Sequence, residues 1–278
     1  MSFIKRNEIK KTIYEAVLII AAAIYLIPFY IMFTQSLKSP QETMMNPLGL
    51  PHVFQFDNFK KVWELMHFEV AFMNTFVLTL VSVVGIALIS GMCSFTIAKR
   101  KAKGYQYLYY VFVCGLLIPF YMTLSPLIKL MKDLNLVDSL MGLSLAYIGR
   151  GVPFAVFLYV GFIRAMPHEI MESAVIDGCS PSTLYWRIVF PMVKNVTSTL
   201  IILNTLWVWN DFLFPLLTLQ SASTKTIPLA QYMFYGMYSS QWNLAFASYL
   251  LSIVPLVIVY FFMQRSIIQG ISTGGVKS

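Results

Sequence analysis

Six apolar blocks alternate with polar segments along the chain. Each block is long enough to cross a bilayer as a helix of about 20 residues. The pattern predicts an all-α integral membrane protein with six transmembrane helices, at residues 13–35, 71–98, 107–128, 140–163, 196–219 and 244–263. The composition supports this fold class, because 58% of the 278 residues are hydrophobic and only 12% are charged, whereas soluble domains carry about 25% charged residues.

The distribution of Lys and Arg predicts how these helices are oriented, because cytoplasmic loops are enriched in basic residues. With both termini in the cytoplasm, thirteen of the 20 basic residues fall in inner segments and six in outer loops, and Arg150 lies within the fourth span. Residues 1–12 then form a cytoplasmic N-terminus, 13–264 the six-helix domain and 265–278 a cytoplasmic tail. The formal net charge of +8 is explained by this topology and by anionic membrane lipid, so no nucleic-acid partner is expected.

The sequence offers little for catalysis or metal binding. It contains no CxxC, HExxH, P-loop or GxSxG pattern, and its three His residues are far apart. Its three cysteines lie in apolar blocks or in an inner loop, so no disulfide framework is expected. The first apolar block has no small-residue cleavage pattern clearly following it, and we interpret it as a retained anchor.

A long polar segment, residues 37–70, lies on the predicted outer side. Its stretch 57–68 has the spacing of a short amphipathic helix. The residues available for burial there are Phe59, Val62, Trp63, Leu65 and Met66. Two interpretations stay open: a lid on the membrane surface, or a docking or gating element.

The polar loop of residues 164–195, between the fourth and fifth spans, predicts two short helices joined by a turn. Pro167 suits the first turn of a helix, where no N–H donor is needed. Gly178 suits the left-handed residue at which a helix often ends, and Ser180 followed by Pro181 is a typical helix start. Without further information, this helix pair could anchor the flanking spans or grip another protein.

The residues of this loop carry a specific resemblance. The spacing of Glu172-Ser173-Ala174, Gly178, Ile188 and Pro191 resembles the EAA motif in the coupling loop of ABC importer permeases. Two identities depart from that motif, since Ser173 replaces Ala and Phe190 replaces Leu. The coupling residues that the resemblance implies are Glu172, Ser173, Ala174, Asp177, Gly178, Ile188 and Pro191.

Further segments resemble the carbohydrate-uptake branch of that family, which includes the smaller maltose-transporter permease and the glycerol-3-phosphate permease. They are Ile118-Pro119, the run from Trp209 to Phe212, and the tail from Gln264 to Lys277. The resemblance implies a sugar importer in the bacterial cytoplasmic membrane. Its expected partners are a second, homologous permease, two cytoplasmic ATPase subunits and an extracytoplasmic solute-binding protein. No cofactor is expected on this chain, and ATP and Mg would be bound by the ATPase.

The tail has two interpretations. Taken alone, its short, polar, Gly-rich sequence is typical of a disordered end. The family resemblance instead implies that it reaches the ATPase dimer. The contacting residues would then be Gly270, Thr273, Gly274 and Val276.

Polar residues within spans are candidates for a substrate pathway, because they are rare and costly there. Arg150 lies about 21 Å along a helix from Arg164, and either snorkels to the outer headgroups or pairs with an acid or an anionic substrate. Asn210 and Asp211 should face protein or water, as structural hydrogen-bonding groups or as sugar contacts. Three aromatic residues could either pack or stack on sugar rings. They are Trp207, Trp209 and Tyr121.

The leading function is therefore sugar translocation, and three alternatives remain. The first is an ABC permease for an anionic substrate, such as a phosphorylated polyol or an acidic saccharide. The second is an ion-coupled secondary transporter, which would need internal inverted repeats and broken helices. The third is a membrane enzyme, which would need a cluster of nucleophile, acid and base.

Overall fold

The computed structural model describes residues 2–100, 102–235 and 241–275, with side chains described except for residues 2–9, 168, 259, 260 and 262–275. All regular structure in this part of the chain is helical, which confirms the predicted class of helical membrane protein. The α-helices are α1 Ser2–Ser36, α2 Pro40–Met45, α3 Asp57–Met66, α4 Phe68–Lys99, α5 Lys103–Leu117, α6 Phe120–Asp133, α7 Leu140–Arg164, α8 His168–Ile176, α9 Pro181–Leu184, α10 Phe190–Met192, α11 Lys194–Trp209, α12 Leu213–Thr218, α13 Ile227–Gln231 and α14 Trp242–Gly275. A π-helix, Tyr185–Val189, joins α9 to α10, and 3₁₀ turns occur at Ala222–Thr224 and Tyr232–Phe234.

Several of these helices can cross a bilayer. Among the described residues, Lys10–Ser36, α4 and α7 are each long and apolar enough alone. Two bent pairs meet the same criterion when each pair is counted as one span: α5 with α6, and Pro181–Met192 with α11. The last apolar block forms the shorter apolar stretch Trp242–Ile258 of α14.

The third and fifth predicted spans are not the continuous helices that the hydrophobic pattern suggested. The chain bends by 105° between α5 and α6. Pro119 has no N–H to continue the helix, and its ring restricts the preceding Ile118, which adopts an extended conformation with φ −84° and ψ 114°. The fifth block is interrupted between Trp209 and Leu213, where the Asn210 side chain donates to the Leu206 carbonyl at 2.7 Å.

The chain forms two compact units. The first comprises residues 1–68 and 231–257. A buried asparagine organises it: Asn58 Nδ2 donates to the carbonyls of Ser36 and Lys38 at 2.8 and 2.9 Å, and Asn58 Oδ1 accepts from Asn243 Nδ2 at 3.1 Å. The residues after α1 are therefore held in a fixed conformation.

The predicted amphipathic helix in the first unit is confirmed as α3. The buried face of α3 is narrower than expected. Val62 and Met66 are buried, whereas Trp63 and Leu65 are 46% and 48% exposed. Trp63 instead packs against Phe68, with 4.9 Å between ring centroids. The choice between a lid and a docking element stays open.

The second unit, residues 69–230 and 258–278, contains the core that matters for function. One cluster of buried residues joins α4, α7 and α11 to the short helices of the 164–195 loop. Tyr159 of α7 is fully buried, and its hydroxyl donates to Thr197 Oγ1 of α11 at 2.9 Å. A close-packed interior resists deformation, so these helices should move together.

An aspartate holds the turn before α7 to the loop after α12. Asp138 accepts hydrogen bonds from the backbone N–H groups of Gln220 and Ser221 at 2.9 and 3.1 Å, from the Thr224 hydroxyl at 2.6 Å, and from the Ser221 hydroxyl. These bonds, chiefly that from the Ser221 hydroxyl, hold the pKa of Asp138 well below its ordinary value. The charged carboxylate, and with it this connection, is therefore present at neutral pH and is lost only when the pH falls through the depressed pKa.

Candidate functional site

The predicted helix–turn–helix of the polar loop is present as α8 and α9. Gly178 has φ +80°, and its N–H donates to the Val175 carbonyl at 3.1 Å while the Cys179 N–H donates to the Ala174 carbonyl at 3.0 Å. This pair of bonds is the Schellman motif, which requires a left-handed residue at the Gly178 position. The Ser180 side chain then caps α9 by accepting from the Thr183 N–H at 3.2 Å, so the turn is fixed at both ends.

The two faces of α8 differ. Met171 and Ala174 are buried in the cluster that also contains Ile163 of α7. Glu172, Ser173, Asp177 and Gly178 are exposed. One face of α8 is therefore fixed to the spans, and the opposite face is available to a partner.

Later residues of the motif serve the same junction. Ile188 is half-buried against the cluster, and Pro191 is exposed. The π-helix ends at Val189, two residues before Pro191, and its Tyr185 ring packs on Phe95 of α4 with 5.5 Å between centroids. Gly91 of α4 passes so close that a Cβ there would collide with the Tyr185 hydroxyl.

Apolar residues that the motif does not include also mark the free face of this helix pair. Ile176 is 84% exposed and Val175 is 49% exposed. Both line a groove of about 560 Å³ between α8 and the ends of α4 and α7, together with the charged residues Lys99, Arg164 and Glu172. The sequence contained a signal for these two residues, because Val175-Ile176 directly precedes the Asp177-Gly178 helix end. Their exposure, however, follows only from the structure, in which Met171 and Ala174 form the buried face of α8.

A second group of polar residues lies inside the bundle. Arg150 comes from the middle of α7, and its guanidinium lies between two rings: Cζ is 3.5 Å from the Phe120 centroid and 3.7 Å from the Trp207 centroid. The side chain thus stays within the bundle rather than extending to an end of α7. Asp211 interacts electrostatically with Arg150, and its Oδ2 accepts a hydrogen bond from the Tyr147 hydroxyl at 2.8 Å.

The other candidate pathway residues take different positions. Trp209 is buried and packs edge-on against Phe72, with 6.0 Å between centroids. Asn210 bonds within its own helix end. Tyr121 is 73% exposed and is an electrostatic neighbour of Arg150. The structure therefore brings Arg150, Asp211, Trp207 and Tyr121 together, and separates Trp209 from them.

Sequence reasoning did not single out Phe120 or Tyr147. Tyr147 is fully buried, and its ring lies edge-on to Trp207 and Phe214 with centroid distances of 5.3 and 5.6 Å. A signal existed for each. Tyr147 precedes Arg150 by three residues and so shares its helix face, and Phe120 directly follows the Ile118-Pro119 break.

The tail residues are only partly described. Gly270, Thr273 and Gly274 lie in the backbone of α14, which continues to Gly275. Val276 lies outside the described residues. The chain is thus helical rather than irregular as far as Gly275.

Within the described residues, no three acidic, His or Cys side chains are placed to hold a metal ion.

Broken helices around a buried polar group are typical of membrane transporters. The family of binding-protein-dependent transport system inner membrane components matches residues 84–273, and the chain belongs to this family.

Relatives and a solved structure agree with this membership. The chain is 35% identical to the probable starch degradation products transport system permease protein AmyC of Thermoanaerobacterium thermosulfurigenes, over 93% of this chain and 94% of the relative. It is 34% identical to the multiple sugar-binding transport system permease protein MsmG of Streptococcus mutans, over 94% and 95% of the two chains. A chain of a bacterial ABC transporter involved in the import of the acidic polysaccharide alginate shares the fold, with a TM-score of 0.82, 19% identity and coverage of 94% and 97%.

Proposed function

We propose that this chain is a permease subunit of an ATP-driven, binding-protein-dependent importer that carries an oligosaccharide or related sugar across the bacterial cytoplasmic membrane. Its membership of the family supports the transport role. The names of the relatives support a carbohydrate substrate, since starch degradation products and multiple sugars appear among them. The chain itself performs no hydrolysis, and ATP and Mg are bound by a partner ATPase.

One observation carries the mechanism: the helix–turn–helix shares a single buried core with the spans. Leu184 of α9, Ala174 of α8 and Leu200 of α11 belong to the same cluster. Displacement of the helix pair is therefore transmitted to α7 and α11. Transporters alternate access by rocking rigid groups of helices, and this junction supplies the required stiffness.

The partner that displaces the helix pair is an ATPase subunit in the cytoplasm. It contacts the exposed face of α8 and the turn that follows, through Glu172, Ser173, Asp177 and Gly178, with Val175 and Ile176 adding apolar area. Of the remaining motif residues, Ala174 and Ile188 pack in the junction, and Pro191 follows it in the chain. The tail is a second ATPase contact, through Gly270, Thr273 and Gly274 of α14 and through Val276.

Three other elements complete the assembly. A homologous permease forms a heterodimer with this chain, and a solute-binding protein delivers sugar from outside. Both termini lie in the cytoplasm, and six spans cross the membrane. The loop fixed by Asp138 then faces outward, where the binding protein docks.

Reconstitution tests this proposal. The chain is co-purified with its permease and ATPase partners, placed in proteoliposomes, and supplied with the binding protein and labelled sugar. Uptake is expected when ATP is present on the side of the membrane that carries the ATPase subunit. It is expected to stop when the ATPase subunit is omitted. Uptake that persists without the ATPase and follows an ion gradient would instead establish the secondary-transporter alternative.

A further inference from the structure

Resting on the proposed function, we infer that Arg150, Asp211 and Tyr121 form a sugar-binding subsite on this subunit itself, and that the subsite is matched to an uncharged, hydroxyl-rich saccharide. The inference concerns direct contact with the transported sugar, in addition to any contact made by the partner permease. It starts from the position of the group in the bundle.

The residues around Arg150 come from places where helices are interrupted. Phe120 is the first residue of α6, directly after the 105° bend. Trp207 and Asp211 flank the end of α11, before α12 begins at Leu213. Arg150 is about 15 Å along α7 from its first residue, near the middle of that span. Transporters place substrate sites near the membrane midplane at discontinuous helices, and this group lies at two of them.

The guanidinium packs on aromatic rings and keeps its N–H donors unpaired. Its Cζ lies 3.5 Å from the Phe120 centroid and 3.7 Å from the Trp207 centroid, and such contacts stabilise the cation. The five N–H donors of Arg lie in the plane of the group, where the rings supply no acceptor. Across the described residues, Arg150 takes part in no hydrogen bond and no ion pair within 4.0 Å. A half-buried cation with a row of free donors requires oxygen acceptors from water or from a ligand.

The nearby carboxylate determines the charge of that ligand. Asp211 is oriented by the Tyr147 hydroxyl at 2.8 Å and acts on Arg150 electrostatically without a direct ion pair. The charges of Arg150 and Asp211 sum to zero. The carboxylate of a uronic acid would therefore be repelled by Asp211 as well as attracted by Arg150. A sugar hydroxyl both donates and accepts, so neighbouring hydroxyls can accept from Arg150 and donate to Asp211 at once.

The aromatic residues divide into two roles. Phe120 and Trp207 each pack a ring face on Arg150, so we assign them to positioning Arg150. Tyr121 is 73% exposed beside Arg150, and its ring is tilted by 60° to that of Phe120 with 6.1 Å between centroids. We assign this exposed ring to the apolar side of a pyranose. The subsite thus combines a donor edge, an acceptor and a flat apolar surface, which is the pattern of a small number of placed polar groups on an aromatic wall.

The test uses the complete reconstituted complex and a panel of labelled trisaccharides, with maltotriose as a neutral probe and trigalacturonate as an acidic probe. The wild type is expected to transport neutral members faster. Arg150→Lys keeps the charge but loses the planar fork, and we expect it to raise KM for the preferred neutral sugar by at least about tenfold. Lys129→Gln, at an exposed position of α6, serves as the control with unchanged KM.

Asp211→Asn is a second, independent test in case the Arg150→Lys complex does not assemble. Removing the carboxylate leaves a net positive site, so the uptake ratio of acidic to neutral sugar should rise by about tenfold or more. An unchanged KM in an intact Arg150→Lys complex, an unchanged ratio in Asp211→Asn, or a wild-type preference for the acidic sugars would each overturn the subsite. Transport of no sugar at all by the wild type would instead overturn the proposed function.

Discussion

Replacing Gly178 with valine is expected to abolish sugar uptake while the assembled complex continues to hydrolyse ATP. Gly178 has φ +80°, and apart from its two chain neighbours no residue has an atom within 4 Å of the place that a Cβ would occupy. The obstacle is therefore the backbone conformation rather than a clash with a neighbour. The left-handed conformation costs an L-residue roughly 1–2 kcal/mol, and more for a β-branched one, which is a factor of about 5–30 in the population of the native turn.

The loss of uptake follows from what the turn holds. The Gly178 and Cys179 N–H groups bond back to α8, so a changed backbone there releases α9 from α8. The ATPase would still bind α8, but the displacement of α8 would no longer be transmitted to α11. Uptake and ATP hydrolysis measured on the same proteoliposomes separate these two activities.

Asparagine is the matched control at this position, because it tolerates the left-handed conformation better than other side chains. Gly178→Asn should retain most of the uptake. Wild-type uptake by Gly178→Val would show that this turn does not transmit force.

Replacing Leu184 with alanine is expected to have the largest effect on stability. Leu184 is fully buried where α9 meets the shared core. A buried Leu→Ala change costs about 2–5 kcal/mol, through lost burial and the cavity left behind. The apparent Tm of the purified complex should fall by several degrees, and the ratio of sugar imported to ATP hydrolysed should fall with it.

Ile176→Ala is the control for this change. It removes an aliphatic side chain of the same size from the same helix pair, but that side chain is 84% exposed in the permease. When both variants are measured without the ATPase subunit, the Tm of Ile176→Ala should therefore remain within about a degree of wild type. Equal Tm values for Leu184→Ala and wild type would contradict the packed junction.

The sequence was sufficient for the helical class and for the helix–turn–helix because both depend on local signals. Gly178 and the Ser180-Pro181 pair fix a turn whatever surrounds them, and the structure has the turn as expected. The break at Ile118 was less evident, because prolines are often tolerated within membrane helices when neighbours satisfy the freed backbone groups. Hydrophobicity alone cannot distinguish a bent span from a straight one.

The group around Arg150 shows why the candidate pathway was only partly predictable. Arg150 and Asp211 were marked by their rarity in apolar blocks, but their neighbours Phe120 and Trp207 look like any other aromatic residues in a membrane chain. The stacking partners come from α6 and α11, far from Arg150 in sequence. Trp209 shows the opposite case, since it resembles a sugar-stacking residue in sequence yet is buried against Phe72.

The central claim is that an ATPase subunit contacts this chain at the exposed face of α8. It is tested most directly by cross-linking in the assembled complex, with Cys93, Cys114 and Cys179 replaced by alanine. Cysteine at Ser173, which is exposed on α8, should form a short-linker cross-link to the ATPase. Cysteine at Met44, which is 79% exposed after α1, should form none and should react with a membrane-impermeant thiol reagent added outside. A residue-173 cysteine that reacts from outside, or that never cross-links to the ATPase in a transporting complex, would contradict the account.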